Sequence, residues 1–211
     1  DHLIELAAKE GVELIVTCDN GIAAARQIEL AASRGIDVVV TDHHEVPYVS
    51  EPSDGGEVRR DVLPPALAVV DPRRADCTYP FPGICGGVVA YKFMQALLSD
   101  KAWLTGQNIS GETEAELMEE FLEFAAFATV CDVMELVDEN RILVKEGLKR
   151  LRKSRNPGLR ALMEVNGIEM DKLSAYHLGF VMGPCLNATG RLDTAKRALE
   201  LLQSGTKAEA M

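Results

Sequence analysis

Asp42-His43-His44 holds half of the four histidines in the chain and sits directly behind the apolar run Val38-Val39-Val40-Thr41. Two more carboxylates occupy the same position relative to an apolar run: Asp19 behind Leu14-Ile15-Val16-Thr17-Cys18, and Asp132 behind Phe127-Ala128-Thr129-Val130-Cys131. Runs of this kind read as strands. Side chains at the carboxyl ends of parallel strands converge on one sheet edge, where α/β folds build metal-centred active sites. Adjacent imidazoles leave a strand end in divergent directions, so one can ligate a metal while its neighbour faces a substrate. Plainer roles stay open for each residue: Asp42 or Asp19 as helix N-caps, the histidines as surface groups, Asp132 as a cap or buried acceptor.

The elements that must position these stations follow from periodicity. Leu3 to Lys9 has helical spacing and stops near Gly11, a strand runs to Cys18, and Asp19-Asn20-Gly21 is a tight strand-to-helix turn. Ile22, Ala23, Ala24, Ile28, Leu30 and Ala31 mark a helix ending around Gly35, and Ile36 to Thr41 is the next buried strand. Helix–strand alternation with continuously apolar strands predicts an α/β fold, a parallel sheet flanked by helices, followed by a mainly helical part. Glu45 to Asp61, polar and irregular with Pro47, Pro52, Gly55 and Gly56, reads as a loop, and Leu67 to Val70 as a short strand closed by Asp71-Pro72. Gly86-Gly87 opens a helix through Leu98, Ser99 to Gly111 reads as a surface connection, and Thr113 with Glu116 as a capping box for a helix running toward Phe127. Beyond Asp132 a helix spans Asn140 into Leu151, Asn156-Pro157 forms the cap and first turn of another that ends near Gly167, and a last helix begins at Asp193 or Thr194. The domain reading is residues 1–135 as the α/β core and 136–211 as a helical portion. Neither an internal repeat nor a low-complexity tract interrupts it.

A net charge of −11 excludes a surface that holds polyanions by bulk electrostatics, so nucleic acid has to be met locally. Lys145 to Arg160 is the basic island, with Lys145, Lys149, Arg150, Arg152, Lys153, Arg155 and Arg160 against Glu146; a solvated helix face explains it equally well. Five cysteines, odd in number and without a Cys-x-x-Cys pair, suit a reducing cytoplasm. Neither a membrane-length apolar run nor a signal-peptide pattern is present, and a first residue inside a helical pattern without Met reads as a piece of something longer. In Gly183 to Leu192, Asn187 and Arg191 near a helix start could donate to phosphate, while a glycine-punctuated turn is the plainer reading. His177, on an apolar stretch, reads as a core histidine rather than a ligand.

The succession Thr17-Cys18-Asp19-Asn20-Gly21-Ile22, Thr41-Asp42-His43-His44-Glu45 and Ala128-Thr129-Val130-Cys131-Asp132-Val133-Met134-Glu135-Leu136 resembles motifs two, three and four of the DHH phosphoesterase superfamily. Three flanking segments point to its branch of single-strand-specific 5′ to 3′ DNA exonucleases: Tyr79-Pro80-Phe81 before Gly86-Gly87-Val88-Val89-Ala90-Tyr91-Lys92, Glu139 to Val144, and Gly183 to Leu192. The similarity covers nearly the whole chain, and the three motifs together are highly specific.

The resemblance implies two Mn²⁺ or Mg²⁺ ions, with Asp19 bridging them and His43 and Asp132 completing one coordination shell. It implies that His44 contacts the scissile phosphate or aids the leaving oxygen, that Asp42 orients a histidine, and that Asn187 and Arg191 lie near the bound strand. The implied reaction is metal-assisted hydrolysis of single-stranded DNA in repair and recombination, with a helicase and a single-strand-binding protein as partners. Cys185 stands where many members of that branch carry Arg. The family's first motif, an Asp-x-Asp stretch, belongs upstream of Asp1, and its carboxyl-terminal DHHA1 domain is also missing, so the expectation is half a metal site and little or no activity alone. Two other readings compete: a DHH phosphodiesterase acting on short oligonucleotides, cyclic dinucleotides or phosphoanhydrides, and a non-catalytic DHH-like replication factor.

Overall fold

The structure, a computed structural model, describes residues 1–53, 55–107, 111–192 and 195–211, without the side chains of 53, 101, 111–112 and 189–192. The chain forms two compact units, Asp1–Met94 and Gln95–Met211.

In the first unit α1 (His2–Lys9), β1 (Leu14–Val16), α2 (Ala25–Ser33), β2 (Asp37–Thr41), β3 (Tyr48–Ser53), β4 (Gly56–Asp61) and β5 (Ala68–Val70) follow in order, and α3 (Gly86–Ser99) opens. β1, β2 and β5 form a parallel sheet in that order, with Ile15 opposite Val38 and Thr41 opposite Val70. Ile28 and Ala31 of α2 are buried with Ile36, Val38 and Val40, and Ile4, Ala7, Ile15 and Val69 pack against them. The β-branched Val38–Val40 run is therefore legible as a strand because one of its faces is a core face. The opposite face of β1 and β5 leaves Leu14, Val16 and Val70 exposed.

Glu45 to Asp61 is not a loop: β3 and β4 pair antiparallel from Tyr48↔Asp61 to Ser53↔Gly56. Its residues are almost all exposed, so no core face imposes an apolar alternation on the sequence. Arg59 holds the hairpin, its guanidinium 4.7 Å over the Tyr48 ring and paired with Asp61 and Glu45 at 2.8 and 2.9 Å.

The second unit is helical: α4 (Lys101–Gly106), α5 (Gly111–Cys131), α6 (Asp138–Leu151), α7 (Pro157–Val165), a 3₁₀ turn at Met170–Lys172, α8 (Ala175–His177), a π-helical segment at Leu178–Met182, α9 (Gly183–Leu192), α10 (Ala195–Leu202) and α11 (Lys207–Ala210). Phe127, Leu151, Leu159, Leu162, Met163, Leu173, Leu178 and Met182 form its core. α5 and α6 approach so closely at Gly147 that a Cβ there would overlap Ala126 and come 3.0 Å from the Leu122 carbonyl oxygen. Asn156 caps α7 as expected, its Oδ1 accepting the Leu159 N–H at 2.9 Å with Pro157 in the first turn.

Four expectations fail in this unit. The surface connection from Ser99 contains α4, started by Asp100, whose Oδ1 accepts the Ala102 and Trp103 N–H groups at 2.9 and 3.1 Å. Thr113 lies inside α5, which already includes Gly111, so it is not the helix's N-cap. Phe127–Cys131 is the end of α5, not a strand, so Asp132 follows a helix, its N–H donating to the Ala128 carbonyl at 2.8 Å. Gly183 to Leu192 is neither a glycine-punctuated turn nor a helix start that would put Asn187 at a free N-terminus, because helical backbone is continuous from Ala175 through the π segment into α9. Asp193 and Thr194, read as the start of a last helix, lie outside the described residues.

Candidate metal centre

Asp42 continues the β2–β5 ladder, its N–H donating to the Val70 carbonyl at 3.0 Å. Its side chain is buried and works as a hub. Oδ2 accepts the Ile22 N–H at 2.9 Å, while Oδ1 accepts the His43 N–H at 2.8 Å and meets His44 Nδ1 at 2.7 Å. Burial opposes its charge, but the Ile22 N–H, the His44 ring and the His43 and His44 N–H groups outweigh it and hold the carboxyl below the usual range. An ionised carboxylate only accepts, so His44 Nδ1 carries the proton and Nε2 points the lone pair away from Asp42.

Asp19 reaches the same edge from β1. Its N–H donates to the Thr41 carbonyl at 3.0 Å, and Thr41 Oγ1 donates back to the Thr17 carbonyl at 2.6 Å, so the ends of β1 and β2 are stitched together. Asp19 has a φ of 59°, in the left-handed region that non-glycine residues seldom enter. Aspartate tolerates it better than most residues, and such strain concentrates where side-chain direction matters. Gly86, at the start of α3, makes room for the bend: a Cβ there would lie 2.7 Å from the Asp19 Cα.

His43 is buried and turns Nε2 to within 3.0 Å of Asp19 Oδ1. The two imidazoles lie 4.6 Å apart and tilted by 57°, the divergence expected of neighbours leaving a strand. One donor atom each from Asp19, His43 and His44 falls within a 4.8 Å group. A carboxylate oxygen and two imidazole nitrogens at a partly open edge, with one histidine oriented by a carboxylate behind it, are donors a divalent cation accepts. The residues fit such an ion.

Asp71 is a further buried carboxylate at this sheet edge that sequence reasoning did not single out. It ends β5 as Asp42 ends β2, is 3% exposed, and accepts the Arg73 N–H on Oδ1 at 2.8 Å. Oδ2 has no hydrogen-bond partner. Burial pushes its carboxyl up, the Arg73 N–H opposes this, the Asp42 charge adds to the rise and His43 counters it. The available signal was positional: Leu67 to Val70 followed by Asp repeats the pattern of the other stations.

The remaining candidates lie in the second unit. Asp132 is exposed at the end of α5, next to Val133 with a φ of 56°. Asn187 is exposed on α9; the side chain of Arg191 is outside the described residues. His177 is not a core histidine: its Nδ1 lies 2.9 Å from Ser174 Oγ and accepts the Ser174 N–H at 3.2 Å, closing a reciprocal cap on α8. In the basic island Lys149 pairs with Glu146 at 2.7 Å, Arg150 with Glu119, and Arg152 donates twice to the Leu173 carbonyl, at 3.0 and 2.8 Å.

A parallel sheet whose adjacent strand ends carry Asp and Asp-His-His defines a class of metal-binding α/β domains, and the model of the DHH family, N-terminal domain, matches residues 2–129. The chain belongs to the DHH family. It is 38% identical over 213 aligned residues to the single-stranded-DNA-specific exonuclease RecJ of Salmonella typhimurium, covering 99% of this chain and 34% of that protein. Among solved structures it resembles RecJ of Thermus thermophilus in complex with Mn²⁺, with a TM-score of 0.70 and 30% identity over 98% of this chain and 28% of that one. A manganese-bound exonuclease RecJ matches with a TM-score of 0.71 and 30% identity, covering 97% of this chain and 46% of that one. The chain thus spans about a third of the length of the Salmonella relative.

Proposed function

We propose that this chain is the metal-centre portion of a divalent-metal-dependent 5′ to 3′ exonuclease that hydrolyses single-stranded DNA in repair and recombination. The observation that carries the proposal is the grouping of Asp19, His43 and His44 donors within 4.8 Å, with His44 held by a buried, ionised Asp42. The names of its relatives supply the substrate, and the solved neighbours the metals, Mn²⁺ in two of them and Mg²⁺ in a third.

In this reading Asp19, His43 and Asp132 would hold a pair of Mn²⁺ or Mg²⁺ ions. Bound there, paired cations supply a hydroxide from water near neutral pH and neutralise charge on the leaving oxygen. Asp42 fixes the His44 tautomer so that Nε2 is presented to the phosphate; protonated, the same nitrogen donates to the leaving oxygen. Asn187 and Arg191 hold the strand, which a helicase and a single-strand-binding protein deliver. A cytoplasmic setting is supported by five cysteines, each free of a disulfide. Among the described residues no helix is long and apolar enough to cross a membrane.

The test uses the full-length protein containing this chain, Mn²⁺ and a 5′-labelled oligonucleotide, with duplex and dinucleotide controls and a His43→Ala variant. Mononucleotide release from single strands alone, lost in the variant, is the expected result. Hydrolysis of only the dinucleotide would move the activity to small substrates. Binding without hydrolysis would make the chain a scaffold.

A further inference from the structure

The segment Tyr79-Pro80-Phe81 and the two arginines that follow Asp71-Pro72 have no part in the proposed function, yet they border the metal centre. Asp19, Asp42 and His44 line a cavity of about 590 Å³. Glu45, the residue after His44, lines that cavity and also a second one of about 490 Å³, together with Pro72, Arg73, Arg74, Tyr79 and Pro82. The two cavities therefore share Glu45 as a wall.

The two arginines differ in what holds them. Arg74 is committed: its guanidinium donates to both Asp76 carboxylate oxygens, at 2.9 and 2.6 Å, and to the Val69 carbonyl. Arg73 is placed from behind, its backbone N–H donating to the buried Asp71 carboxylate at 2.8 Å. Among the described residues its guanidinium donates only to Glu45, at a long 3.3 Å, and Glu45 is held more closely by Arg59, at 2.9 Å. A guanidinium carries five N–H donors in a fork that matches phosphate oxygens, so Arg73 has donors left for an anion entering this cavity. Tyr79, half-buried, and the two prolines give the same cavity an aromatic and apolar part, which is what a base stacks on.

We propose that this second cavity is a subsite for the nucleotide flanking the scissile phosphate, with Arg73 on its phosphate and Tyr79 against its base. The phosphate takes Arg73 from its 3.3 Å contact with Glu45, and Glu45 stays with Arg59. The inference rests on the exonuclease reading and adds to it two residues that hold the strand next to the metal centre, in a molecule whose net charge of −11 leaves few places to do so.

The test uses the full-length protein containing this chain with Mn²⁺ and a fluorescent phosphorothioate oligothymidylate, which resists hydrolysis, and follows binding by anisotropy across a series of salt concentrations. Arg73→Ala should lower the salt slope by roughly 0.7, the increment of one phosphate contact, and Arg73→Lys, which keeps the charge, should restore it. Tyr79→Ala should weaken binding about 10-fold, whereas Tyr79→Phe, which keeps the ring, should bind like the parent. Arg60→Ala removes an arginine of β4 that pairs with Glu51 at 2.7 Å, and should change neither affinity nor slope. A parent that binds the strand while Arg73→Ala behaves like Arg60→Ala, or while Tyr79→Ala binds like the parent, would overturn the subsite and leave the exonuclease reading standing. A parent that binds no single strand would overturn both.

Discussion

Asp42→Asn preserves shape while removing the ionised acceptor behind His44. An amide that turns its NH₂ toward Nδ1 would favour the opposite tautomer, so kcat on single-stranded DNA is expected to fall about 10²–10⁴-fold, with Mn²⁺ binding through Asp19 and His43 retained. Asp42→Ala should also lose stability. It strands the buried N–H groups of Ile22 and His43, which donate to Asp42 at 2.9 and 2.8 Å, at about 1–3 kcal/mol for each group left without an acceptor, read as a lowered Tm. Gly86→Ala acts on position instead of chemistry. Its Cβ would press on the Asp19 Cα, and a ligand displaced by about 1 Å can cost about 10²-fold in rate, checked by kcat alongside an unchanged circular dichroism spectrum.

At the scale of elements, legibility followed whether a core face constrained the sequence. Val38-Val39-Val40 was legible because Val38 and Val40 are buried against α2, and Asn156-Pro157 because a cap and first turn need those residue types. Tyr48 to Asp61 was not, since an exposed hairpin places no demand on alternation. Phe127-Ala128-Thr129-Val130-Cys131 misled because a short β-branched apolar run fits a strand or a buried helix end; only the length of α5 decides, and there Thr129 Oγ1 donates to the Ala125 carbonyl at 2.7 Å within the helix. At the sheet edge, Asp19 and Asp42-His43-His44 could be singled out directly as candidates, whereas the buried Asp71 was masked by Asp-Pro, which looks like a turn. α5 and α6 also carry a pH dependence. Glu123 of α5 is buried, and that burial raises its carboxyl despite the Ser154 hydroxyl that donates to it at 2.5 Å. A raised folded pKa gives stability that is full below the ordinary glutamate value and is lost as pH rises through the folded one. Glu123→Gln should therefore match the parent Tm near pH 4 and exceed it increasingly toward pH 8.

For the whole molecule, a net charge of −11 means that the proposed DNA substrate would have to be gripped at a few points. Lys149, Arg150 and Arg152 already face Glu146, Glu119 and the Leu173 carbonyl. Neutralising Lys149 and Arg150 should leave the salt slope of single-strand binding unchanged, whereas Arg191→Ala should reduce it by roughly 0.7, the increment of one phosphate contact. All of this depends on a cation sitting at the sheet edge. The most direct test is a crystal of this chain grown with Mn²⁺ and measured at the manganese absorption edge. The account predicts an anomalous peak in contact with the Asp19 carboxylate and His43 Nε2; a well-ordered site with no peak there, or a peak held by other residues, would contradict it.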